Sequence, residues 1–211
     1  ERWCEVAAGE LLVIVHVGAE CLADAQSLAA RAAECGARAV AAVPPVYYRP
    51  RGIDELADWC GRVASAAPDL GFYYYHVPRM TGAEVAMAEL LPAAARRAAN
   101  VAGVKYSHAD LADAARCVAL EAGRFDVLFG LDEMLLSALA AGCRGAVGTT
   151  YNFAAPLYRR IFDAFAAGDL DAARTEQLRA AEMIALLHRY GFYAAAKCVS
   201  TMVGGDCGAV R

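Results

Sequence analysis

GFYYYHVPRMTGAEVAMAELLPAAARRAANVAGVKYS, residues 71–107, reads as strand, helix, strand. Residues 71–75 and 101–105 are short apolar runs bounded by Gly, Pro and Asn. Between them, Ala- and Leu-rich sequence at helical spacing predicts a helix within residues 83–99. A strand, a crossover helix and a second strand imply two parallel strands in one sheet.

The same alternation continues on both sides. Strands are expected at 11–17, 39–43, 125–129 and 144–147, with helices at 22–35, 53–66, 111–122, 133–141 and 156–167. Two more helical stretches, 169–190 and 193–202, follow, and residues 1–9 read as the tail of a helix. The strands are apolar on both faces, as in a parallel sheet covered on both sides. An open doubly wound sheet and a (β/α)8 barrel both fit. No G-x-G-x-x-G follows a strand and no Walker loop is present. Polar residues instead gather at strand ends: Tyr47/Tyr48, Tyr75/His76, Lys105/Ser107, Asp132/Glu133 and Thr149/Thr150. Barrel active sites are built from those ends, which favours an α/β TIM barrel.

Six strands are counted where a barrel needs eight. Two open edges, at 11–17 and 144–147, would invite aggregation. The expectation is therefore a barrel whose first two strands lie upstream of residue 1. Residues 1–168 would form strands three to eight, and 169–211 a helical extension packed on the barrel.

Of 211 residues, 59% are hydrophobic and 21% charged, a composition that buries a core rather than staying disordered. The net charge of -4 and scattered basic residues argue against a nucleic-acid partner. No stretch has the length of a membrane span or the flanks of a signal peptide, so a soluble cytoplasmic protein is expected. The eight cysteines include no C-x-x-C pair and no metal-ligand spacing, so they read as small buried hydrophobes, with no metal.

Lys105 carries the chemistry. It ends the apolar run VAGVK, where a lysine is normally excluded. Period-two alternation puts Val101, Gly103 and Lys105 on one face, the interior of a barrel. Desolvation there favours the neutral amine, a nucleophile toward ketones. The competing reading is a lysine that snorkels to solvent. Tyr75 ends the preceding strand and falls beside Lys105 at the same rim, where a phenol can shuttle a proton. An aromatic that merely packs on a helix remains the alternative. Tyr73, one layer deeper, reads as core, and Tyr74 faces the helices. His16 and His76 read as structural histidines; His108 and His188 as exposed ones.

Four motifs in register carry a resemblance: FYYYHVPRMTG (72–82), GVKYS (103–107), FGLDE (129–133) and GTTYN (148–152). Over essentially the whole chain the sequence resembles the N-acetylneuraminate lyase family of class I aldolases. The resemblance implies that Lys105 forms an imine with the C2 ketone of sialic acid or with pyruvate. It implies that Tyr75 moves the proton at the C4 hydroxyl as the C3–C4 bond breaks, with no cofactor or metal. Gly130, Asp132, Glu133, Thr149 and Ser107 would hold the substrate. Tyr47 and Tyr48 match aromatics that approach a neighbouring subunit's site, in a homotetramer. Asp132 is also a good helix N-cap and Glu133 suits the positive helix end. Thr149–Asn152 also reads as a turn.

The close rival is dihydrodipicolinate synthase, whose tyrosine is followed five positions later by a carboxylate-binding arginine. Here that position is Met80, with Arg79 beside it. The carboxylate-binding loop that the superfamily carries after its second strand is absent from these residues. Another 2-keto acid aldolase and a truncated, non-catalytic relative stay open as alternatives.

Overall fold

The computed structural model describes residues 1–7 and 9–210. It divides into two units, Glu1–Leu128 and Phe129–Arg211. Among the described residues no helix is long and apolar enough to cross a membrane.

The first unit alternates strands and helices: α1 Arg2–Ala7, β1 Ile14–His16, α2 Leu22–Glu34, β2 Ala39–Ala42, α3 Ile53–Ala64, β3 Gly71–His76, α4 Pro78–Thr81, α5 Met87–Ala95, β4 Val101–Tyr106, α6 Leu111–Ala119 and β5 Asp126–Phe129. The strands lie side by side in chain order, with β1–β2, β2–β3 and β3–β4 pairing in parallel. Each helix returns the chain to the start of the next parallel strand.

In β3 burial alternates strictly. Phe72, Tyr74 and His76 are buried under the helices, whereas Gly71, Tyr73 and Tyr75 on the other face are half-buried. The helix side is the dry core: Leu56, Cys60 and Val63 of α3 and Leu90 and Leu91 of α5 are all but inaccessible. Just past the end of α5 the chain approaches α3 closely at Gly61, where a Cβ would stand 2.6 Å from that of Arg97. Asn100, just before β4, spreads its amide donors over the carbonyls of Ala64, Ala67 and Leu70 at 2.8–3.1 Å. That side chain fixes where β3 and β4 begin.

The second unit holds the end of β5, a 3-10 turn at Asp132–Met134, α7 Leu135–Ala140, β6 Gly145–Ala146, α8 Tyr151–Ala166, α9 Leu170–Arg189 and α10 Phe192–Met202. Val147 N–H donates to the Phe129 carbonyl at 2.8 Å, which seats β6 beside the end of β5. Leu135, Leu139, Tyr158, Ile161 and Ala180 form its core.

Several expectations change in detail. The first strand is three residues long, not seven, and α8 starts at Tyr151, five residues early. Pro156 sits inside α8, and Ala154 before it leaves helical geometry, as the residues around a proline must adjust. The helix expected to run to residue 122 breaks at Ala119, because Glu121 and Ala122 take positive φ. Of the cysteines only Cys60, Cys117 and Cys143 are buried. Cys21, Cys198 and Cys207 are exposed, so the buried-hydrophobe reading fails for them.

Candidate active site

Lys105 and Tyr75 meet because of an irregularity. Phe72 pairs with Val101, and one residue later Tyr73 pairs with Gly103, skipping Ala102. Without this bulge Tyr75 would face Val104; with it, Tyr75 is paired with Lys105. A one-residue slip reverses which face a side chain occupies, so the bulge is what puts the amine and the phenol together. The Lys105 Nζ lies 3.9 Å from the centroid of the Tyr75 ring. A cation over an aromatic face gains about 0.5–2 kcal/mol, which holds the Lys105 Nζ over the ring. Both residues are half-buried, so a small molecule can reach them.

Gly103 in VAGVK is required by packing: a Cβ there would stand 2.0 Å from the Asp126 carbonyl of β5. Asp126 also accepts from the Tyr73 hydroxyl at 3.1 Å, one layer below Tyr75. Burial, then the Asp126 charge, push the Tyr73 phenol up to about 12, so it stays a neutral donor. Ser107 continues the Lys105 face. Its N–H donates to the His76 carbonyl at 2.8 Å, and its buried Oγ has no hydrogen-bond partner among the described residues. A buried hydroxyl left open in this way is what a ligand or a water completes.

His16 is satisfied by the backbone, as expected of a structural histidine, and it also stands beside this group. It ends β1, and its Nε2 accepts from Val43 N–H at 3.2 Å. Its ring stands perpendicular to that of Tyr75, centroids 6.2 Å apart. The residue is exposed as a whole, but desolvation of its ring, then the Lys105 charge, lower its pKa. The alternation in β1 places His16 on the Lys105 face. Its reach past β2 to Tyr75 depends on register, which the sequence does not display.

His76 is a buried, structural histidine. It is 2% exposed, with Tyr106 and His108 rings 5.1 and 5.5 Å away. Burial, then His108, push its pKa down to about 4. Next to it, Asp113 of α6 accepts from Met87 N–H at 2.9 Å, Ala88 N–H at 3.3 Å and the Tyr106 hydroxyl at 3.1 Å. The residue that precedes α5, Ala86, has no capping side chain, and Asp113 serves that end from 26 residues away. His108 and His188 are exposed.

Tyr47 and Tyr48 stand on the loop after β2, 79% and 84% exposed, with their rings at right angles. The Glu20 carboxylate accepts from Val46 and Tyr47 N–H at 3.0–3.2 Å and holds that loop. Met80 and Arg79 lie on α4, both exposed.

In the second unit Asp132 is buried, and its carboxylate is engaged. Its Oδ2 accepts from Thr150 N–H at 3.0 Å and from the Thr150 hydroxyl at 2.5 Å. The Thr150 Oγ1 in turn lies 2.5 Å from the Tyr158 hydroxyl. The N-cap role open to Asp132 is not taken up, because the carboxylate turns to Thr150 instead. Gln177 of α9 does that work: its Oε1 accepts from Leu136 N–H at 2.7 Å, and its Nε2 donates to the Asp132 carbonyl at 3.3 Å. Gly148 is obligatory, since any Cβ would collide with the Asp132 carboxylate. Gly130 is half-buried and Glu133 and Thr149 are exposed. Thr149 lines a cavity of about 680 Å³ with Asn152, Tyr193, Lys197 and Ser200. Asp132 therefore brings the GTTYN loop to the FGLDE loop. The residue that makes the link, Thr150, was masked in the sequence by its twin Thr149.

Comparison with known proteins gives a consistent result. The Dihydrodipicolinate synthetase family matches over residues 1–211. The N-acetylneuraminate lyase of Gallus gallus is 41% identical over 208 residues, 97% of this chain and 68% of that one. N-acetylneuraminate lyase A of Xenopus laevis is 42% identical over 193 residues, 91% of this chain and 63% of that one. The chain thus spans about two thirds of the length of these relatives. The structure of the N-acetylneuraminate lyase (sialic acid aldolase) of Aliivibrio salmonicida superposes with a TM-score of 0.96 at 38% identity, over 100% of this chain and 70% of that one. The parallel strands and covering helices are those of an α/β fold of the TIM-barrel type.

Proposed function

Because this chain belongs to the Dihydrodipicolinate synthetase family, we propose that it acts as a class I aldolase that reversibly cleaves N-acetylneuraminate to N-acetylmannosamine and pyruvate. One observation carries the reading: an amine poised 3.9 Å over a phenol ring, on directly paired residues of neighbouring strands.

The Lys105 amine attacks the C2 ketone of the open-chain sugar acid. The carbinolamine loses water to give an iminium, which is the electron sink for the next step. Tyr75 takes the C4 hydroxyl proton as the C3–C4 bond breaks, which releases the aldehyde and leaves an enamine. Protonation at C3 and hydrolysis free pyruvate and restore the amine. The ring of Tyr75 has a second part in this scheme. The face that now holds the ammonium would hold the iminium cation equally well.

Ser107, with its open buried hydroxyl, is proposed to bind the substrate near the imine. Gly130, Glu133 and Thr149 are proposed to hold the sugar hydroxyls. Asp132 keeps its loop in place and takes part through it. The finer architectural reading, β1–β6 as strands three to eight of a (β/α)8 barrel, belongs to this proposal. It is supported by the full coverage of this chain in the Aliivibrio salmonicida comparison. A cytoplasmic homotetramer in which Tyr47 and Tyr48 face a neighbouring subunit completes it.

The test is a substrate panel on the full-length protein. N-acetylneuraminate should release pyruvate, and N-acetylmannosamine should be the preferred acceptor in the reverse direction. A clear preference for aspartate semialdehyde would replace the lyase reading with the synthase one.

A further inference from the structure

His16 has no part in the chemistry above, yet the chain is built around it. Its imidazole curls back under Gly18, where an added Cβ would stand 2.8 Å from the ring. It is anchored to the β2 backbone by Val43 N–H at 3.2 Å. From there it meets the Tyr75 ring at 85°, centroids 6.2 Å apart. Ala41, paired with both His16 and Tyr73, is small enough to leave the way across β2 open.

We propose that His16 is a positioning residue for Tyr75: a neutral imidazole, tied to Val43, that fixes the angle at which the phenol ring meets Lys105. The proposal rests on the aldolase reading and deepens it by adding a residue to that site. An Nε2 that accepts from an amide leaves the ring proton on Nδ1, so only one neutral tautomer fits. A doubly protonated ring would lose the Val43 anchor. Desolvation of the ring and the nearby Lys105 charge both oppose that protonation. Perpendicular aromatic contacts are favoured by ring quadrupoles, and they restrict the rotation of the partner. Restricting Tyr75 matters because its phenol must reach a substrate hydroxyl while Lys105 holds the other end. Misplacement by about 1 Å can cost up to about a hundredfold in rate.

The experiment is a set of six full-length proteins: wild type, His16→Ala and His16→Gln, each with and without Tyr75→Phe. The readouts are kcat, KM, borohydride trapping of pyruvate on Lys105, and thermal melting. His16→Ala should lower kcat about tenfold while trapping on Lys105 stays within about twofold of wild type. Gln, whose amide oxygen can accept from Val43 N–H, should recover most of the loss. In the Tyr75→Phe background His16→Ala should cause no further drop, because the positioned hydroxyl is already gone. An unchanged kcat in His16→Ala overturns the proposal. So does a drop of equal size in both backgrounds, or a loss of trapping in step with turnover in a folded variant. Should His16→Ala not fold, His16→Gln with and without Tyr75→Phe decides, and a loss in Gln that is equal in both backgrounds counts against it. A wild type that neither traps nor releases pyruvate would instead refute the aldolase reading and remove the basis of this one.

Discussion

Replacing Tyr75 by Phe removes one oxygen and leaves the ring. The ring is what lies under the Lys105 Nζ at 3.9 Å and beside His16 at 6.2 Å, so both contacts survive. Tyr75 is half-buried, so no buried group is orphaned and the melting temperature should move little. Imine formation needs the amine alone, and borohydride trapping should therefore persist. The loss falls on proton transfer at the C4 hydroxyl. General acid–base catalysis by one side chain is worth about 10²–10⁴-fold, or about 3–5 kcal/mol of barrier at 1.36 kcal/mol per tenfold. The assay is pyruvate release from N-acetylneuraminate, followed by a lactate dehydrogenase couple, with trapping run in parallel. A kcat reduced by about a hundredfold or more, with trapping intact, is the expected result. Full activity in Tyr75→Phe, or trapping lost along with turnover, would refute the division of labour between amine and phenol.

Three further predictions concern the frame around the site. Thr150→Val strips the hydroxyl from between Asp132 and Tyr158 and should cost about 3 kcal/mol, read as a melting temperature lower by roughly 6–12 °C. A melt unchanged in Thr150→Val would mean the Asp132 carboxylate does not depend on it. Asp113→Ala leaves two α5 N–H groups without their acceptor and should cost about 2 kcal/mol in urea unfolding, with Asp113→Asn losing less. His76 is held at about 4 when folded, against about 6.5 unfolded, so the folded state binds fewer protons and stability falls as the pH drops through that window. Its share between pH 7 and 5 is about 2 kcal/mol, and His76→Gln should lose that slope in urea titrations.

Much of this was legible from pattern alone. Short apolar runs and Ala-rich helical spacing located the six strands and the major helices, because each strand here pairs with its neighbour in chain order. The resemblance to the lyases rested on short motifs at strand ends, where the fold places side chains at a rim. Register stayed hidden. Nothing in FYYYHVP or VAGVKYS announces that Ala102 is skipped, yet that skip is what aligns Tyr75 with Lys105. Long-range polar links stayed hidden for the same reason. Asp113 serves a helix 26 residues away and Gln177 another 41 residues away, and neither distance leaves a local signature. The approach of His16 to Tyr75 stayed hidden as well, because it depends on the register of β1 and β3 across β2.

The most direct test of the amine is chemical. Full-length protein is incubated with pyruvate and borohydride, digested, and the peptide that contains Lys105 is weighed. A reduced pyruvyl adduct on Lys105 alone, absent from Lys105→Ala, is the predicted outcome. A Lys105 peptide of unmodified mass, or the adduct on another lysine, would contradict it.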